Sequence, residues 1–247
     1  MRSGRGEEKP VAAYFRPLLR TVSGHALISA SDRPDALVDA LLASSYPEEF
    51  CLSLDFSPPF LSSLMRAGFL VMSGAFDSGR TFVLLAKLHL ERSVLFFPEL
   101  HTGASLRRVL GRYELRADDD FPRILDRCAQ RHGDGWLTPP LRESLVLLNE
   151  QGGDPVPVAF GLYRDGELKA GEIGVRAGRA YTSYSGFYAE NSAGSAQLTM
   201  TAAYLRDSGF AFMDLGMPME YKRRLGARPV SRVEFVAMFR AAANCRS

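Results

Sequence analysis

What this sequence of 247 residues lacks narrows the field first. Cysteine is scarce: Cys51, Cys128 and Cys245 are an odd number with no CxxC pair, so neither a disulfide framework nor a zinc site is favoured. No uninterrupted apolar run reaches the roughly 18 residues of a membrane-spanning helix. The opening MRSGRGEEKP is charged and has no apolar signal-peptide core. A reducing, cytoplasmic setting with no membrane partner is therefore expected. Excess charge of one sign is also missing. Thirty Lys and Arg against 28 Asp and Glu leave +2, too little to diagnose nucleic-acid binding, although clustered arginines can still form a basic face. His25, His89, His101 and His132 are scattered and read as no ligand set. Neither a Gly-x-Ser-x-Gly elbow nor a His/Cys/carboxylate cluster occurs, and no metal site is expected.

What is present is enough apolar residue, 46%, for one large core or two modest ones. Residues 1–10 read as a flexible tail, with order starting near Val11. Two short helices follow, one over DRPDALVDALLASS with Asp32 as N-cap and one over SPPFLSSLMRAG capped by Ser57 and ended by Gly68. RTFVLLAKLHLERSVLFFP reads as two strands around HLER. GASLRRVLGRYEL and DDDFPRILDRCAQRHG read as helices, the second starting at Asp120, and a turn at HGDG leads to Trp136. PPLRESLVLLNEQGG is the clearest helix. From Val156 the period changes to two, and three strand-like runs separated by RDGE and RAGR make an antiparallel meander. A helix over SAGSAQLTMTAAYLRDSG then leads to the strand FAFMDL, suggesting a βαβ unit with a site at the strand's carboxyl end. The chain divides into an N-terminal unit over 11–91 and a second over 92–247.

Several residues invite a functional reading, and each has a plain alternative. In GFAFMDLGMPMEYKRRLGA, Asp214 ends an apolar strand, as a catalytic acid or as the cap of the next turn. Trp136, the single tryptophan, can stack on a base or plug the core. Glu220 can act as a functional carboxylate or, beside Lys222, Arg223 and Arg224, be simply solvated. SLRRVLGRYELR and YKRRLGARPVSR offer either a phosphate-contacting face or ordinary charged surface. The start of the helix at NSAGSA can present N–H groups to a phosphate or simply pack closely on a sheet.

The block order and these residues together resemble the leucyl/phenylalanyl-tRNA–protein transferase family, over roughly residues 45–238. ERSVLFFPELHTGASLRRVL is similar to the family's PR-x-V-L-x-x-x-x-L-H-x-S-x-S-L-R-R segment. GDGWL parallels its Gly-Thr-Trp-Ile turn, and MDLGMPMEYKRRLGARPVSRVEF parallels its I-D-C-Q, S-L-G-A and R-x-x-F pieces without a gap. The resemblance implies an α+β, GNAT-like mixed or antiparallel sheet flanked by helices, with a smaller N-terminal α/β domain. It implies transfer of leucine or phenylalanine from aminoacyl-tRNA to the N-terminal amine of a protein beginning with lysine or arginine, which marks that protein for degradation. An activated ester donor needs proximity, a proton acceptor and oxyanion stabilisation, without a cofactor, metal or nucleophilic residue.

Carried over residue by residue, the resemblance makes Asp214 the catalytic strand-end acid, so that Asp214→Ala is expected to abolish transfer without unfolding. Trp136, Tyr184, Ser185, Phe187, Gly216 and Met217 are the expected substrate-binding positions. Tyr184 stands where the family has glutamate and Gly216 where it has glutamine, so two polar groups of the pattern are missing. Arg107, Arg108 and Arg232 match family arginines and, with Lys222, Arg223 and Arg224, are expected to contact tRNA. The partners implied are aminoacyl-tRNA and a protein or peptide N-terminus, engaged by a monomer. Two alternatives stay open: a GNAT-type N-acyltransferase using acyl-CoA, and a non-catalytic homologue that binds tRNA or peptide.

Overall fold

The computed structural model describes residues 21–132 and 135–245, with the side chain of His132 left aside. The expected tail over 1–10, the start of order near Val11 and residues 133–134 of the expected turn lie outside the described residues.

Two sheets organise the chain, and it is an α+β protein. The first contains β1 (Thr21–Val22), β2 (His25–Leu27), β3 (Phe50–Ser53), β4 (Leu70–Phe76) and β5 (Thr81–Lys87), in the order β1-β2-β3-β5-β4. α1 (Pro34–Ala43) joins β2 to its parallel neighbour β3, and α2 (Pro58–Arg66) joins β3 to β4. Both helices start on proline, whose missing N–H is no loss in a first turn. The expected Asp32 cap does not form: Arg33 is the N-cap residue, and the Asp32 carboxylate instead accepts the Ser29 N–H at 2.7 Å. Ser57 does precede α2, but its hydroxyl makes no capping bond.

The second sheet has the order β12-β6-β11-β10-β9-β8-β7. It is built from β6 (Glu91–Leu95), β7 (Glu114–Ala117), β8 (Val156–Arg164), β9 (Glu167–Ala177), β10 (Ala180–Tyr188), β11 (Phe212–Asp214) and β12 (Arg228–Ser231). The expected meander is β8-β9-β10. Its first turn, Asp165-Gly166, has both residues at positive φ, 53° and 78°, the twist that suits a two-residue hairpin. β10 and β11 are parallel and joined by α6 (Ala193–Asp207), the expected βαβ unit. α4 (Phe121–His132) and α5 (Pro139–Gln151) precede the meander, and Asp120 caps α4 by accepting the Arg123 N–H at 3.1 Å. α3 (Ala104–Leu110) is shorter than its expected helix, because residues 114–117 pair with β8 as strand β7. The chain ends in α7 (Glu220–Arg224) and α8 (Arg232–Ala243).

The sheets share one apolar core. Leu37, Leu64 and Val71 from the first half cluster with Ile124, Leu145 and Ile173 from the second, and Phe235 and Phe239 of α8 close over the junction. A Cβ at Gly68 would stand 3.2 Å from the Phe239 ring, so the end of α2 and α8 approach as closely as a glycine allows.

Candidate functional site

The carboxyl-terminal half of β10 departs from regular pairing. Its register against β9 shifts between Ser183 and Ser185, a bulge that re-aims Tyr184. The Tyr184 hydroxyl accepts the Val71 N–H from β4 at 3.3 Å, and burial pushes its pKa up, so it is a neutral group. β4 also fixes Trp136. The Ser73 N–H and hydroxyl both donate to the Trp136 carbonyl, at 3.1 and 2.7 Å, and Thr138 donates to the Ser73 oxygen at 2.8 Å. The free edge of the first sheet thus holds two residues of the second half in place.

Between β9, β10, α7 and the first turns of α6 lies a cleft of about 650 Å³. Trp136, Tyr184, Phe187, Leu198, Leu215 and Tyr221 provide its aromatic and apolar walls. Asn191, Ser192, Gly194 and Ser195 bring the start of α6 to it. Exposed Arg131 stands at its margin, 5.0 Å from the Tyr188 ring centroid and donating to its hydroxyl at 3.3 Å.

One carboxylate lines this cleft among the described residues, that of Glu172 on β9. It is 2% exposed. The Tyr181 hydroxyl donates to Oε1 at 3.0 Å, while Oε2 has no hydrogen-bond partner. Burial raises its pKa to about 7, against the lowering effect of Ser183, Tyr181 and Lys222. Ser183 exerts that effect without a hydrogen bond to Oε2 of ordinary geometry. Glycines make this packing possible. A Cβ at Gly174 would lie 2.3 Å from the Tyr181 hydroxyl, and one at Gly171 would lie 2.6 Å from the Phe187 ring. Lys222 borders the same space; its ammonium donates to the carbonyls of Leu215 and Met217, the latter at 2.8 Å. Burial lowers the Lys222 pKa, and Asp214 and Glu172 oppose that. The Cys128 thiol beneath the site is pushed up to about 12 by burial and supplies no thiolate at neutral pH.

Of the residues singled out by sequence, Trp136, Tyr184, Ser185, Phe187 and Lys222 meet in the cleft. Asp214, Gly216 and Met217 do not line it. Asp214 is 0% exposed and paired with Arg92 through Oδ2, while Oδ1 accepts the Gly216 N–H at 2.9 Å. Arg92 in turn donates to the Gly68 carbonyl at 2.9 Å and lies 4.4 Å from the Phe235 ring centroid. Both oxygens of Asp214 are engaged, so the acid braces β6 to β11 and is closed to a substrate amine in this state. Gly216 has φ +69°, a left-handed backbone in which glutamine is disfavoured. Met217 is 54% exposed.

The arginines separate in the same way. Arg107 and Arg108 are exposed on α3, and Arg223 and Arg224 are exposed beside Glu220, which they hold at about 2. Arg232 departs from its expected tRNA role. It is buried and donates to the carbonyls of Tyr46, Glu48 and Leu88, each at 2.6 Å, and of His89 at 3.2 Å. Its guanidinium is consumed in tying α8 to the first half of the chain, leaving nothing for a phosphate.

Sequence reading missed Glu172, Arg92 and Arg131. The signal for Glu172 was available: a single acid in the glycine-rich apolar run AGEIGV, which a strand buried on both faces makes costly. Among the described residues no group of three or more His, Cys, Asp and Glu is placed to hold a metal ion.

The sequence profile of a family described as Leucyl/phenylalanyl-tRNA protein transferase matches residues 94–240. A Leucyl/phenylalanyl-tRNA--protein transferase of Pseudomonas putida (strain W619) is 34% identical over 149 residues, 58% of this chain and 65% of that protein. Another, from Pseudomonas entomophila (strain L48), is 33% identical over the same shares. The chain therefore spans about 65% of the length of these curated relatives. The crystal structure of FemX aligns over 84% of this chain and 78% of its own, with 12% identity and a TM-score of 0.45.

Proposed function

Since this chain belongs to the leucyl/phenylalanyl-tRNA protein transferase family, we propose that it moves an amino acid from aminoacyl-tRNA to the N-terminal amine of a protein or peptide. The observation that carries this reading is the position of the cleft: every residue lining it falls within the matched segment 94–240. An apolar and aromatic wall with one buried carboxylate suits a hydrophobic aminoacyl group meeting a cationic amine. In this reading a leucine- or phenylalanine-like side chain lies against Phe187, Leu198 and Leu215, which line the cleft, and the terminal base of the donor stacks on Trp136. Ester aminolysis is downhill and needs no cofactor; it needs amine and ester held together and a proton acceptor. Arg131, Arg107 and Arg108 provide exposed cations for the tRNA backbone. Asp214 contributes by bracing, with Arg92, the strand from which Leu215 and Gly216 emerge.

The serines and glycine at the start of α6 favour a second reading, an acyl-CoA donor whose phosphates meet backbone N–H groups. One experiment separates the two. Incubated with radiolabelled leucyl- or phenylalanyl-tRNA and a peptide beginning with arginine, the protein is expected to label the peptide and to leave an N-acetylated peptide unlabelled. Labelling from acyl-CoA alone selects the second reading. Failure with every charged tRNA rejects the first.

A further inference from the structure

Resting on that transfer reading, we propose that Glu172 receives the N-terminal ammonium of the acceptor and takes its proton. The cleft offers no other carboxylate among the described residues. Asp214 has both oxygens engaged inside the protein. Glu172 differs in lining the cleft with one oxygen held by Tyr181 and the other making no hydrogen bond of ordinary geometry, with Ser183 near it. A buried carboxylate oxygen without a well-formed donor is an under-satisfied acceptor, and a primary ammonium would supply a full N–H bond. Across the sheet, residue 172 pairs with Gly186 on β10 and with Phe160 on β8, so on the β10 side no side chain stands beside it at that position.

The surroundings keep a proton exchangeable there. Tyr181 and Ser183 face Glu172 from β10, Lys222 and Tyr221 from α7, and Cys128 from α4. Only Lys222 carries a charge, and its ammonium is already directed at the Leu215 and Met217 carbonyls. Lys222 therefore tempers the carboxylate without neutralising it by direct contact.

The carboxylate of Glu172 takes one proton from the acceptor's ammonium, leaving a neutral amine whose lone pair forms the C–N bond to the ester carbonyl carbon. In the tetrahedral adduct the nitrogen is cationic and the carbonyl oxygen anionic. The C–O bond to the ribose breaks, the adduct nitrogen's extra proton passes to the departing ribose oxygen, and the carbonyl reforms as an amide. The proton on Glu172 leaves to solvent with the products, regenerating the carboxylate.

Glu172→Gln keeps the shape and the acceptor for Tyr181 while removing the base. Transfer to an arginine-initiated peptide is expected to fall at least 100-fold. By calorimetry, wild-type protein is expected to bind the free-amine peptide in preference to its N-acetylated form. The variant is expected to lose that preference while binding deacylated tRNA as before, which a merely structural defect would not do. Glu172→Asp, which keeps a carboxylate, should retain the preference. Should Glu172→Gln not fold, wild-type protein labelled with ¹³C at glutamate carboxyls tests the same point. The carboxyl resonance that titrates near neutral pH should titrate at lower pH with the free-amine peptide bound, and unchanged with the acetylated one. Transfer within threefold of wild type in Glu172→Gln, or no movement of that resonance, overturns the role of Glu172 and leaves the transfer reading standing. Wild-type protein that neither transfers from charged tRNA nor prefers a free amine overturns both.

Discussion

Glu172 places its stability contribution and its proposed chemistry in opposition. Its pKa is about 7 in the folded protein against an ordinary 4.5, so between those values the folded state holds more protons than the unfolded one. The linked stability is fully present below about pH 4.5 and is lost as pH rises through 7. Ionisation at pH 8 then costs about 3 kcal/mol. Glu172→Gln has no such dependence, and urea unfolding at pH 5 and pH 8 should show the variant gaining about 2–3 kcal/mol on wild type over that interval. Equal differences at both pH values would mean that burial does not hold this carboxyl neutral. Asp214 calls for the opposite expectation. Removing it leaves the fully buried Arg92 charge unpaired, so Asp214→Ala should destabilise by about 3–5 kcal/mol. Loss of transfer in that variant would accompany loss of fold, contrary to the expectation from sequence. A double replacement, Arg92→Met with Asp214→Leu, should recover much of the stability in a denaturation cycle.

At the scale of elements, signals that repeat within one segment were legible. α4 and α5 show helical spacing behind capping or proline starts, and β8 to β10 alternate between turn dipeptides. β7 was not, because Glu114–Ala117 is four residues long and becomes a strand only by pairing with β8. Basic segments behaved likewise. Equal arginines in sequence become surface cations on α3 and a buried tie in α8, depending on whether carbonyls of a distant segment surround them. The distinction is measurable. Replacing Arg107 and Arg108 by alanine should weaken tRNA binding and lower the slope of log affinity against log salt by about one per lost phosphate contact. Arg232→Ala should lower the denaturation midpoint and leave that slope unchanged.

Packing crosses the expected boundary between residues 11–91 and 92–247. One core runs through both sheets, and Arg232 and Arg92 each join carbonyls of the first half to the second. Urea unfolding followed by Trp136 fluorescence and by circular dichroism should therefore give coincident single transitions. Two separated transitions would show that the halves unfold independently. The meander and the flanking helices followed from the chain's order, since periodicity and turn chemistry are carried by neighbouring residues, while the family and the grouping of Trp136, Tyr184, Ser185 and Phe187 came from the resemblance of its segments. The identity of the free carboxylate, the sealing of Asp214 and Arg232, and the bracing of the cleft by β4 did not. They depend on contacts such as Ser73 to Trp136 and Val71 to Tyr184, 63 and 113 positions apart. Burial and pairing across such distances set whether an acid or a base is available, and no local pattern records them.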